Sequence, residues 1–320
     1  MPDSDQTGEV IELFPDMTSS TPLNVLLFGG TGMLGYDVDV ELSHRGHHVV
    51  APMRSQFDVT VPQHYVHFEK KRDRHFDWII NCAAYTAVDQ AETETMAAMK
   101  KNAVAPGALA ALAKNIGARF LHVSTDFVFD GMAETPYTED RTTNPLSTYG
   151  KSKLLGEQNV QKENPDSVIM RTSWLYGKNG KSFPRTMIEA YQAGKNLRVV
   201  ADQTGCPTST VDLARVIVDA IEKPVQAGIY HACGPEAMNW HQFATLAIQT
   251  YLDSKQDDDQ FEIQPITTSD WPVPARRPQM SVLDCTKLLA TGIAPMRTVQ
   301  ESLVEYVARA FLEQEPLETL

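Results

Sequence analysis

The stretch 24–35 reads Asn-Val-Leu-Leu-Phe-Gly-Gly-Thr-Gly-Met-Leu-Gly and joins an apolar run to a cluster of glycines. The run Asn24–Phe28 is typical of a short buried strand, and Met33–Arg45 is predicted to form a helix after it. Glycines 29, 32 and 35 allow a tight turn and a close approach of backbone to a pyrophosphate, and the helix N-terminus supplies N–H groups. The spacing is GxxGxxG, although Gly30 blurs the distinction from GxGxxG. The position between strand and helix favours a dinucleotide-binding loop over a plain turn.

Further strands alternate with helical segments beyond this loop. Three more apolar runs are predicted strands: His48–Ala51, Trp78–Asn81 and Phe120–Val123. The composition of Ala91–Lys114 is helical, but Pro106 lies within it, so we expect a break or kink near Asn102. The alternation predicts the α/β class, with a Rossmann-like, doubly wound parallel sheet. Ligands of such sheets bind outside the carboxyl ends of the strands, so the chemistry should follow each strand.

The pattern loosens beyond Arg171. Helices are predicted at Thr210–Glu222 and Trp240–Leu252, and Gly228–Ala232 is expected to return to the main sheet. The acid-rich stretch Asp253–Gln260 is predicted to be a solvated linker. We therefore expect a flexible acidic tail at 1–22 and a dinucleotide-binding domain at 23–175, rejoined by segments within 197–234. Residues 176–315 are expected to form mostly a smaller, discontinuous C-terminal substrate lobe.

Composition excludes several classes of partner. The 320-residue chain has a net charge of −13, which disfavours nucleic acid. It contains no apolar run that approaches the ~18 residues of a membrane span, and its polar N-terminal region is unlike a secretory signal. The four cysteines are far apart in sequence, so we expect reduced thiols and a cytoplasmic protein. The histidine clusters at 44–48 and 64–67 lack partners that would complete a ligand set, and no metal site is predicted.

The end of the second predicted strand bears on the choice of cofactor. An acidic residue about 20 positions after the glycine loop would bond the ribose 2′-OH of NAD. Here residues 52–55 read Pro-Met-Arg-Ser and contain no acid. Arg54 is suited to pair with a 2′-phosphate, which favours NADPH over NADH. The alternative is that Arg54 is a solvated loop arginine.

A YxxxK pair supplies candidate acid–base residues. The sequence has three such pairs, and Tyr149/Lys153 is favoured because it opens a predicted helix, Tyr149–Gln161, where both side chains share one face. A free tyrosine has a pKa of about 10, and a nearby ammonium group is expected to lower it. The phenol would then donate a proton to a carbonyl oxygen as hydride arrives at carbon. A hydroxyl of Ser124 or Thr125 would polarise the same oxygen.

Seven motifs, taken in order, resemble the dTDP-4-dehydrorhamnose reductase family, an extended short-chain dehydrogenase family of deoxysugar nucleotide synthesis. The resemblance spans roughly Asn24 to Phe311, and its most specific blocks contain the sequences TAVD, STDFVFDG and RTSWLYG. The motifs are GGTGMLG (29–35), NCAAYTAVDQAE (81–92), VSTDFVFDG (123–131), YGKSK (149–153), RTSWLYG (171–177), DQTGCPTST (202–210) and ARRPQMSVL (275–283).

The resemblance implies a role for each matching residue. It implies that Thr125, Tyr149 and Lys153 form the catalytic set and that Lys153 also holds the nicotinamide ribose. The implied cofactor residues, with Gly35 and Arg54 from the arguments above, are Gly29, Gly32, Met33, Leu34, Gly35, Arg54, Asp58, Ala83, Ala84, Tyr85 and Asn102. The implied substrate residues are Thr86, Val88, Asp126, Phe127, Trp174 and Arg277. Phe127 stands where the family usually has tyrosine, which leaves one hydrogen bond to substrate in doubt.

The function implied first is reduction of the C4 ketone of dTDP-4-dehydro-L-rhamnose, or of a close 4-keto-deoxysugar nucleotide, by NADPH or NADH. A dehydratase would place a glutamate at the position of Phe127, which cannot act as a base. A sugar-nucleotide epimerase would use the same catalytic set, so that reading stays open. A non-catalytic subunit that resembles the regulatory β subunit of methionine adenosyltransferase stays open as well. The sequence also leaves open a homodimer and the use of Mg²⁺, for which it locates no site.

Overall fold

A computed structural model describes residues 21–71, 74–223 and 225–312 of the chain. The predicted tail at 1–22 lies outside the described residues except for its last two positions. The strands are β1 (Asn24–Phe28), β2 (His48–Val50), β3 (Trp78–Asn81), β4 (Arg119–Thr125), β5 (Val168–Thr172), β6 (Leu175–Tyr176), β7 (Leu197–Val200), β8 (Thr204–Gly205), β9 (Thr208–Ser209), β10 (Gly228–His231), β11 (Met238–Asn239) and β12 (Ile263–Ile266). The helices are α1 (Met33–His44), α2 (Pro62–Lys71), α3 (Thr95–Met99), α4 (Ala105–Ile116), α5 (Thr148–Glu163), α6 (Phe183–Gln192), α7 (Thr210–Glu222), α8 (Trp240–Lys255), α9 (Thr286–Leu289) and α10 (Val299–Val307).

Six strands form one parallel sheet in the order β10-β5-β4-β3-β1-β2. Strands β2 and β3 lie on opposite sides of β1, so the order of the strands reverses there. Such a reversal opens a crevice at the carboxyl ends of the strands. The predicted doubly wound α/β fold is confirmed, and β10 returns to the sheet beside β5 as expected.

Alternation along β1 divides the core between the two faces of the sheet. Val25 and Leu27 belong to an apolar cluster with residues of α1 and α7. Leu26 and Phe28 belong to a second cluster with residues of α4 on the other face. Successive side chains of a strand point to opposite faces, so a continuous apolar run is the signature of a strand covered on both sides.

The helical segment that contains Pro106 is interrupted, as its composition predicted. The chain passes from α3 through a π-helical turn, Lys100–Val104, into α4, and Pro106 lies in the first turn of α4. A proline there removes no hydrogen bond that the helix would otherwise make. Asn102 lies in the π-helical turn and is buried.

The C-terminal part has an apolar cluster of its own. Helices α6, α8 and α10 contribute Ile188, Phe243 and Leu303 to it, and β7 pairs with β12 beside them. The predicted linker at Asp253–Gln260 is wrong in its first three residues, because α8 continues to Lys255 before Gln256 takes a left-handed φ of 53°. The residue bounds proposed for the two parts of the chain stay a prediction.

Candidate active site

One cleft of about 680 Å³ opens at the carboxyl ends of the sheet strands and runs toward the C-terminal cluster. It brings together nearly all the residues singled out from the sequence. The predicted residues that line it are Gly29, Gly32, Met33, Leu34, Gly35, Arg54, Asp58, Ala83, Ala84, Thr86, Val88, Thr125, Asp126, Phe127, Tyr149, Lys153, Trp174 and Arg277. Of the predicted residues, all of which the structure describes, Tyr85 and Asn102 alone do not line the cleft.

The glycine loop has the close packing that a pyrophosphate site needs. Gly29 has a φ of +87°, and a Cβ added there would lie 2.7 Å from the backbone nitrogen of Ala83. A Cβ on Gly35 would collide with the carbonyl oxygen of Gly29. Gly32 precedes the first turn of α1 and caps it without a side chain, and that turn carries no acidic residue. The N–H groups at this end of α1 therefore face the cleft with favourable polarity for an anion.

Two basic side chains lie where the second strand meets the cleft. Arg54 Nε donates to Asp58 Oδ2 at 3.0 Å, and the Arg54 side chain is 78% exposed. Although burial acts to raise it, hydrogen bonds from Thr60 and Arg54 hold the pKa of Asp58 at about 2. Burial and the charge of Arg54 lower the pKa of Lys101, which also lines the cleft. Lys101 was missed from the sequence because it lies in the predicted helix, far from the second strand.

Tyr85 and Asn102 hydrogen-bond to each other next to the cleft. The Tyr85 backbone N–H donates to Asn102 Oδ1 at 2.7 Å, and Asn102 Nδ2 donates to the Tyr85 carbonyl at 3.0 Å. Asn102 Nδ2 also donates to Ser152 Oγ on α5 at 3.0 Å. The two residues implied as cofactor contacts thus fix the loop after β3 against α5, and the place of Tyr85 in the cofactor site stays a prediction.

The proposed catalytic residues meet where β4 ends and α5 begins. Ser147 accepts a hydrogen bond from the Gly150 backbone N–H at 3.1 Å, and this cap starts the helix that carries Tyr149 and Lys153. Thr125 is the last residue of β4, and its hydroxyl donates to Asp126 Oδ1 at 3.0 Å. The Ser124 hydroxyl instead donates to the buried carboxylate of Glu157 at 2.5 Å. Both candidate hydroxyls therefore donate to a carboxylate, and Thr125 is the one that also hydrogen-bonds with Tyr149.

The electrostatics of Tyr149 differ from the expectation. Burial, together with the charge of Asp126, raises the pKa of Tyr149 to about 12, against a lowering by its hydrogen bond with Thr125. Lys153 does not act on it here, because its ammonium group donates to the Val123 carbonyl at 2.7 Å. The prediction that Lys153 lowers the pKa of the phenol is wrong for this arrangement. Burial also lowers the pKa of Lys153, to about 8.

A buried histidine lies beside Lys153, and sequence reasoning missed it. His122 Nε2 lies 3.4 Å from Lys153 Nζ, and its Nδ1 lies 3.0 Å from Asn81 Nδ2. Asn81 Oδ1 accepts the Ala83 backbone N–H, which leaves the Asn81 amide to face the ring. Burial and the charge of Lys153 hold the pKa of His122 well below its usual value, so the ring is neutral. The motif VSTDFVFDG begins one residue too late to include this histidine.

The far end of the cleft is aromatic and contains one strained residue. Trp174 has a φ of +46° and stacks on Trp240, with ring centroids 3.4 Å apart and planes 4° apart. The Phe127 ring meets Tyr149 edge to face at 5.5 Å. Trp240 was missed from the sequence because it lies in a helix of the C-terminal part, yet it lines the same cleft.

Asp126 and Arg277 differ in how completely their side chains are hydrogen-bonded. Asp126 is 1% exposed, and its Oδ2 has no hydrogen-bond partner among the described residues. Burial raises the pKa of Asp126 to about 6. Arg277 is held by Asp89 through two hydrogen bonds of 3.0 and 2.8 Å, and Asp89 also accepts the Ala275 backbone N–H. Arg277 thus borders the cleft while clamping two segments together.

The other two YxxxK pairs lie away from the cleft. Tyr191 is near the end of α6, which stops at Gln192, so Lys195 is not on the same helix. The second pair, Tyr251 and Lys255, lies within α8. Neither tyrosine lines the cleft.

The described ranges contain neither a cluster of metal ligands nor a membrane-spanning helix. No group of three or more histidine, cysteine, aspartate or glutamate side chains in them is arranged to hold a metal ion. None of the helices in the same ranges is long and apolar enough to cross a membrane.

The family model for the RmlD substrate binding domain matches residues 23–311. The chain belongs to this family. A probable dTDP-4,6-dihydroxy-2-methyloxan-3-one 4-ketoreductase of Streptomyces antibioticus is 40% identical over 281 residues, which cover 88% of this chain and 93% of that protein. A dTDP-4-dehydrorhamnose reductase of Salmonella typhimurium is 36% identical over 272 residues, covering 83% and 90%. The resemblance drawn from the motifs is thereby confirmed for this RmlD-family chain.

Solved structures agree with the assignment to the RmlD family. A dTDP-4-dehydrorhamnose reductase of Clostridium acetobutylicum superposes with a TM-score of 0.82 at 38% identity, covering 89% of this chain and 98% of that one. A reductase of the same name from Bacillus anthracis, in complex with NADP, gives 0.82 at 31% identity, covering 89% and 99%. A UDP-glucose 4-epimerase of Thermus thermophilus in complex with NAD gives 0.73 at 19% identity, which shows a shared fold alone.

Proposed function

We propose that this chain reduces the C4 ketone of dTDP-4-dehydro-L-rhamnose, or of a close 4-keto-deoxysugar nucleotide, to the alcohol. The observation that carries the proposal is the meeting of Thr125, Tyr149 and Lys153 in the cleft that the glycine loop opens. The dTDP-4-dehydrorhamnose reductases among its relatives support the same reaction.

Tyr149 suits the role of proton donor in a reduction. When bound, a reduced nicotinamide supplies the hydride, and the new alkoxide needs a proton as it forms. With a pKa of about 12 the phenol is protonated throughout the physiological range. Thr125 can donate its hydroxyl hydrogen to the same oxygen. Lys153 would hold the nicotinamide ribose and, once its ammonium group turned from Val123 toward the cleft, would ease proton loss from Tyr149.

The residues present fit a dinucleotide. The loop leaves no room for a Cβ at Gly29 or Gly35, which is the arrangement that lets backbone reach a pyrophosphate. We propose NADPH as the preferred cofactor, with Arg54 and Lys101 supplying charge for the 2′-phosphate and Asp58 near the adenine. The test is the ratio of kcat/KM for NADPH to that for NADH. Arg54→Ala should lower this ratio, and an unchanged ratio would contradict the role of Arg54.

The substrate would lie between the catalytic set and the tryptophan stack. Thr86, Val88, Asp126 and Phe127 line that end of the cleft, and Trp174 closes it. Phe127 offers no hydroxyl, so its contact with the sugar is apolar. Arg277 would act on this end through its clamp with Asp89. No step is assigned to Mg²⁺.

The proposal also includes an oligomeric state and a cellular location. Met96, Val104 and Leu155 are exposed apolar side chains on α3, the π-helical turn and α5, which pack against one another. We propose that this face supports a homodimer, for which sedimentation equilibrium of the wild type and of Val104→Glu is the test. A cytoplasmic location is part of the proposal, because the reaction draws on reduced nicotinamide.

The decisive experiment is a turnover assay with the purified protein and dTDP-4-dehydro-L-rhamnose freshly made by upstream enzymes. Loss of reduced nicotinamide is followed with NADPH and NADH separately. Tyr149→Phe should lower kcat/KM by about 10²–10⁴-fold, the contribution of a positioned general acid. Tyr191→Phe, at another YxxxK pair outside the cleft, is the matched control and should stay near wild type.

Other outcomes separate the alternatives. No oxidation by a folded protein that binds NADPH would overturn the rhamnose proposal. Tightly held NAD that survives purification, with turnover but no net oxidation, would indicate the epimerase. Co-purification of a methionine adenosyltransferase without turnover would indicate the regulatory subunit.

A further inference from the structure

Three cysteines that are far apart in sequence lie together in the fold. Cys206 follows β8, Cys233 follows β10 by two residues, and Cys285 precedes α9. All three belong to or pack against one apolar cluster that also holds Tyr137. Cys233 Sγ lies 3.6 Å from Cys285 Sγ. A disulfide bond is about 2.0 Å long, so only a small rearrangement of the two side chains separates this pair from a bond.

The backbone on both sides of the pair is anchored to the same short segment. The Tyr137 backbone N–H donates to the Val282 carbonyl at 2.8 Å, and the Asp284 N–H donates to the Tyr137 carbonyl at 2.8 Å. From the other side, His231 Nδ1 lies 2.9 Å from the same Tyr137 carbonyl. These bonds hold the segment with Cys285 beside the segment with Cys233, so the proximity follows from the fold.

The two thiols differ in accessibility and in acidity. Cys285 is half-buried at the surface, whereas Cys233 is 5% exposed. A hydrogen bond from Cys233 lowers the pKa of Cys285, while hydrogen bonds with Cys206 and Cys285 raise the pKa of Cys233. The accessible thiol is therefore the more readily ionised one, and thiolates are the reactive form of cysteine.

We propose that Cys285 and Cys233 form a thiol-oxidation site that small-molecule disulfides of the glutathione class convert into an intramolecular disulfide. The Cys285 thiolate attacks one sulfur of the reagent, which breaks the reagent's S–S bond and releases one thiol. The Cys233 sulfur then attacks Cys285 Sγ in the mixed disulfide and releases the second thiol. The protein loses two electrons and two protons, and the reagent takes up both.

The bond would join two parts of the molecule that meet at the cluster around Tyr137. Cys233 continues from β10 of the main sheet, and Cys285 continues the segment that carries Arg277. This inference does not depend on the proposed reaction, because it concerns thiols outside the catalytic set.

The test treats the full-length folded protein with oxidised glutathione and then counts free thiols after denaturation in alkylating reagent. The wild type should lose two of its four thiols, and mass spectrometry of the digest should recover a peptide that joins positions 233 and 285. The peptide map needs no variant, so it holds even where a substitution disturbs folding. A wild type that keeps four free thiols would overturn the proposal.

Single serine variants assign the roles. Cys233→Ser should trap glutathione on Cys285, and Cys285→Ser should keep all its thiols free. Cys82→Ser is the matched control, since Cys82 lies in the cleft and burial raises its pKa to about 12. It should still lose two thiols, as should Cys206→Ser. Loss of two thiols in Cys285→Ser but none in Cys206→Ser would place the bond at Cys206–Cys233 and contradict the pair proposed.

Discussion

The three ionisable side chains closest to the proposed chemistry share one electrostatic property. Burial raises the pKa of Asp126 to about 6 and that of Tyr149 to about 12, and it lowers the pKa of Lys153 to about 8. In each case the neutral form is favoured, as expected where water is excluded. Charge that develops on a substrate oxygen here is poorly solvated, so a positioned proton donor has a large effect.

Asp126→Asn is expected to stabilise the folded protein near neutral pH. The folded-state pKa of about 6 lies above the usual 3.8, so the folded state binds more protons than the unfolded state between these values. The wild type therefore loses stability as pH rises through that window, and asparagine does not. The gain should reach about 2–3 kcal/mol near neutral pH and vanish as the pH falls toward 3.8.

Urea unfolding at a series of pH values measures this difference. Asp258→Asn, on the exposed linker, is the matched control and should show no pH-dependent difference from wild type. A variant at position 126 whose stability parallels wild type at every pH would contradict the buried, unsatisfied state of the carboxylate.

Some residues of the site can be predicted from the sequence and others cannot. Tyr149 and Lys153 are four positions apart on one helix, and the glycines of the loop are contiguous, so local rules find them. His122, Lys101 and Trp240 reach the cleft through contacts between distant segments, which a single sequence does not reveal. The predicted lowering of the Tyr149 pKa was wrong for a related reason. Tyr149 and Lys153 share a helix face, but this does not determine where the Lys153 ammonium group points.

At the scale of elements, the turn between β1 and α1 depends on the absence of side chains. Gly35→Ala would drive a methyl group into the Gly29 carbonyl and displace the loop. We expect the Kd for NADPH to rise at least ~10-fold, the equivalent of about 1.4 kcal/mol. A fluorescence titration with NADPH measures it.

Gly46→Ala is the matched control for the loop. Gly46 has a φ of +81°, but an added Cβ would meet nothing within 4 Å. That variant should lose about 1–2 kcal/mol of stability from backbone strain yet keep its affinity for NADPH. Equal losses of affinity in both variants would show that the effect is general destabilisation.

The buried ion pair between α5 and β5 joins the helix that carries Tyr149 and Lys153 to the sheet. Arg171 donates to both carboxylate oxygens of Glu157 at 2.9 and 2.7 Å, and both side chains are almost fully buried. Arg171→Met should cost about 3–5 kcal/mol of unfolding free energy, because it leaves the carboxylate without its charge partner. The double variant Glu157→Leu/Arg171→Met should recover much of that loss. Urea unfolding measures both, and a double variant as unstable as the single one would contradict a pairing role.

At the scale of the whole molecule, the clamp between Asp89 and Arg277 connects the loop after β3 with the segment that follows β12. Arg277→Met should raise the KM for the sugar nucleotide about 10-fold and leave the Kd for NADPH unchanged, since the cost of one charge-assisted pair is of that order. Arg276→Met, the exposed neighbour, is the control. Asp89→Asn should behave like Arg277→Met, and the double variant should be no worse. Additive losses would show that the two residues act separately.

The global fold was more predictable than the connections within it. The bounds of β1 to β4 and of α1, α5, α7 and α8 followed to within three residues from apolar runs, glycines and helical composition, and the return of β10 followed from a short apolar segment. The central strand β5 and the strands β6 to β9 were not predicted. Three sets of contacts were not predicted: the cysteine cluster, the Glu157–Arg171 pair and the clamp between Asp89 and Arg277. Each joins residues from separate segments, and nothing in the local sequence distinguishes these residues from ordinary surface positions. Periodicity indicates which face of an element is buried, but it does not indicate which distant side chain it meets there.

The stacked pair Trp174–Trp240 gives the molecule an optical signature. Two parallel indoles whose centroids lie 3.4 Å apart couple their electronic transitions, and this coupling is lost when the rings separate. A face-to-face stack is less favourable than an offset one, and Trp174 also has a strained backbone. Near-ultraviolet circular dichroism would therefore report, without any attached label, the moment at which a ligand parts the two rings.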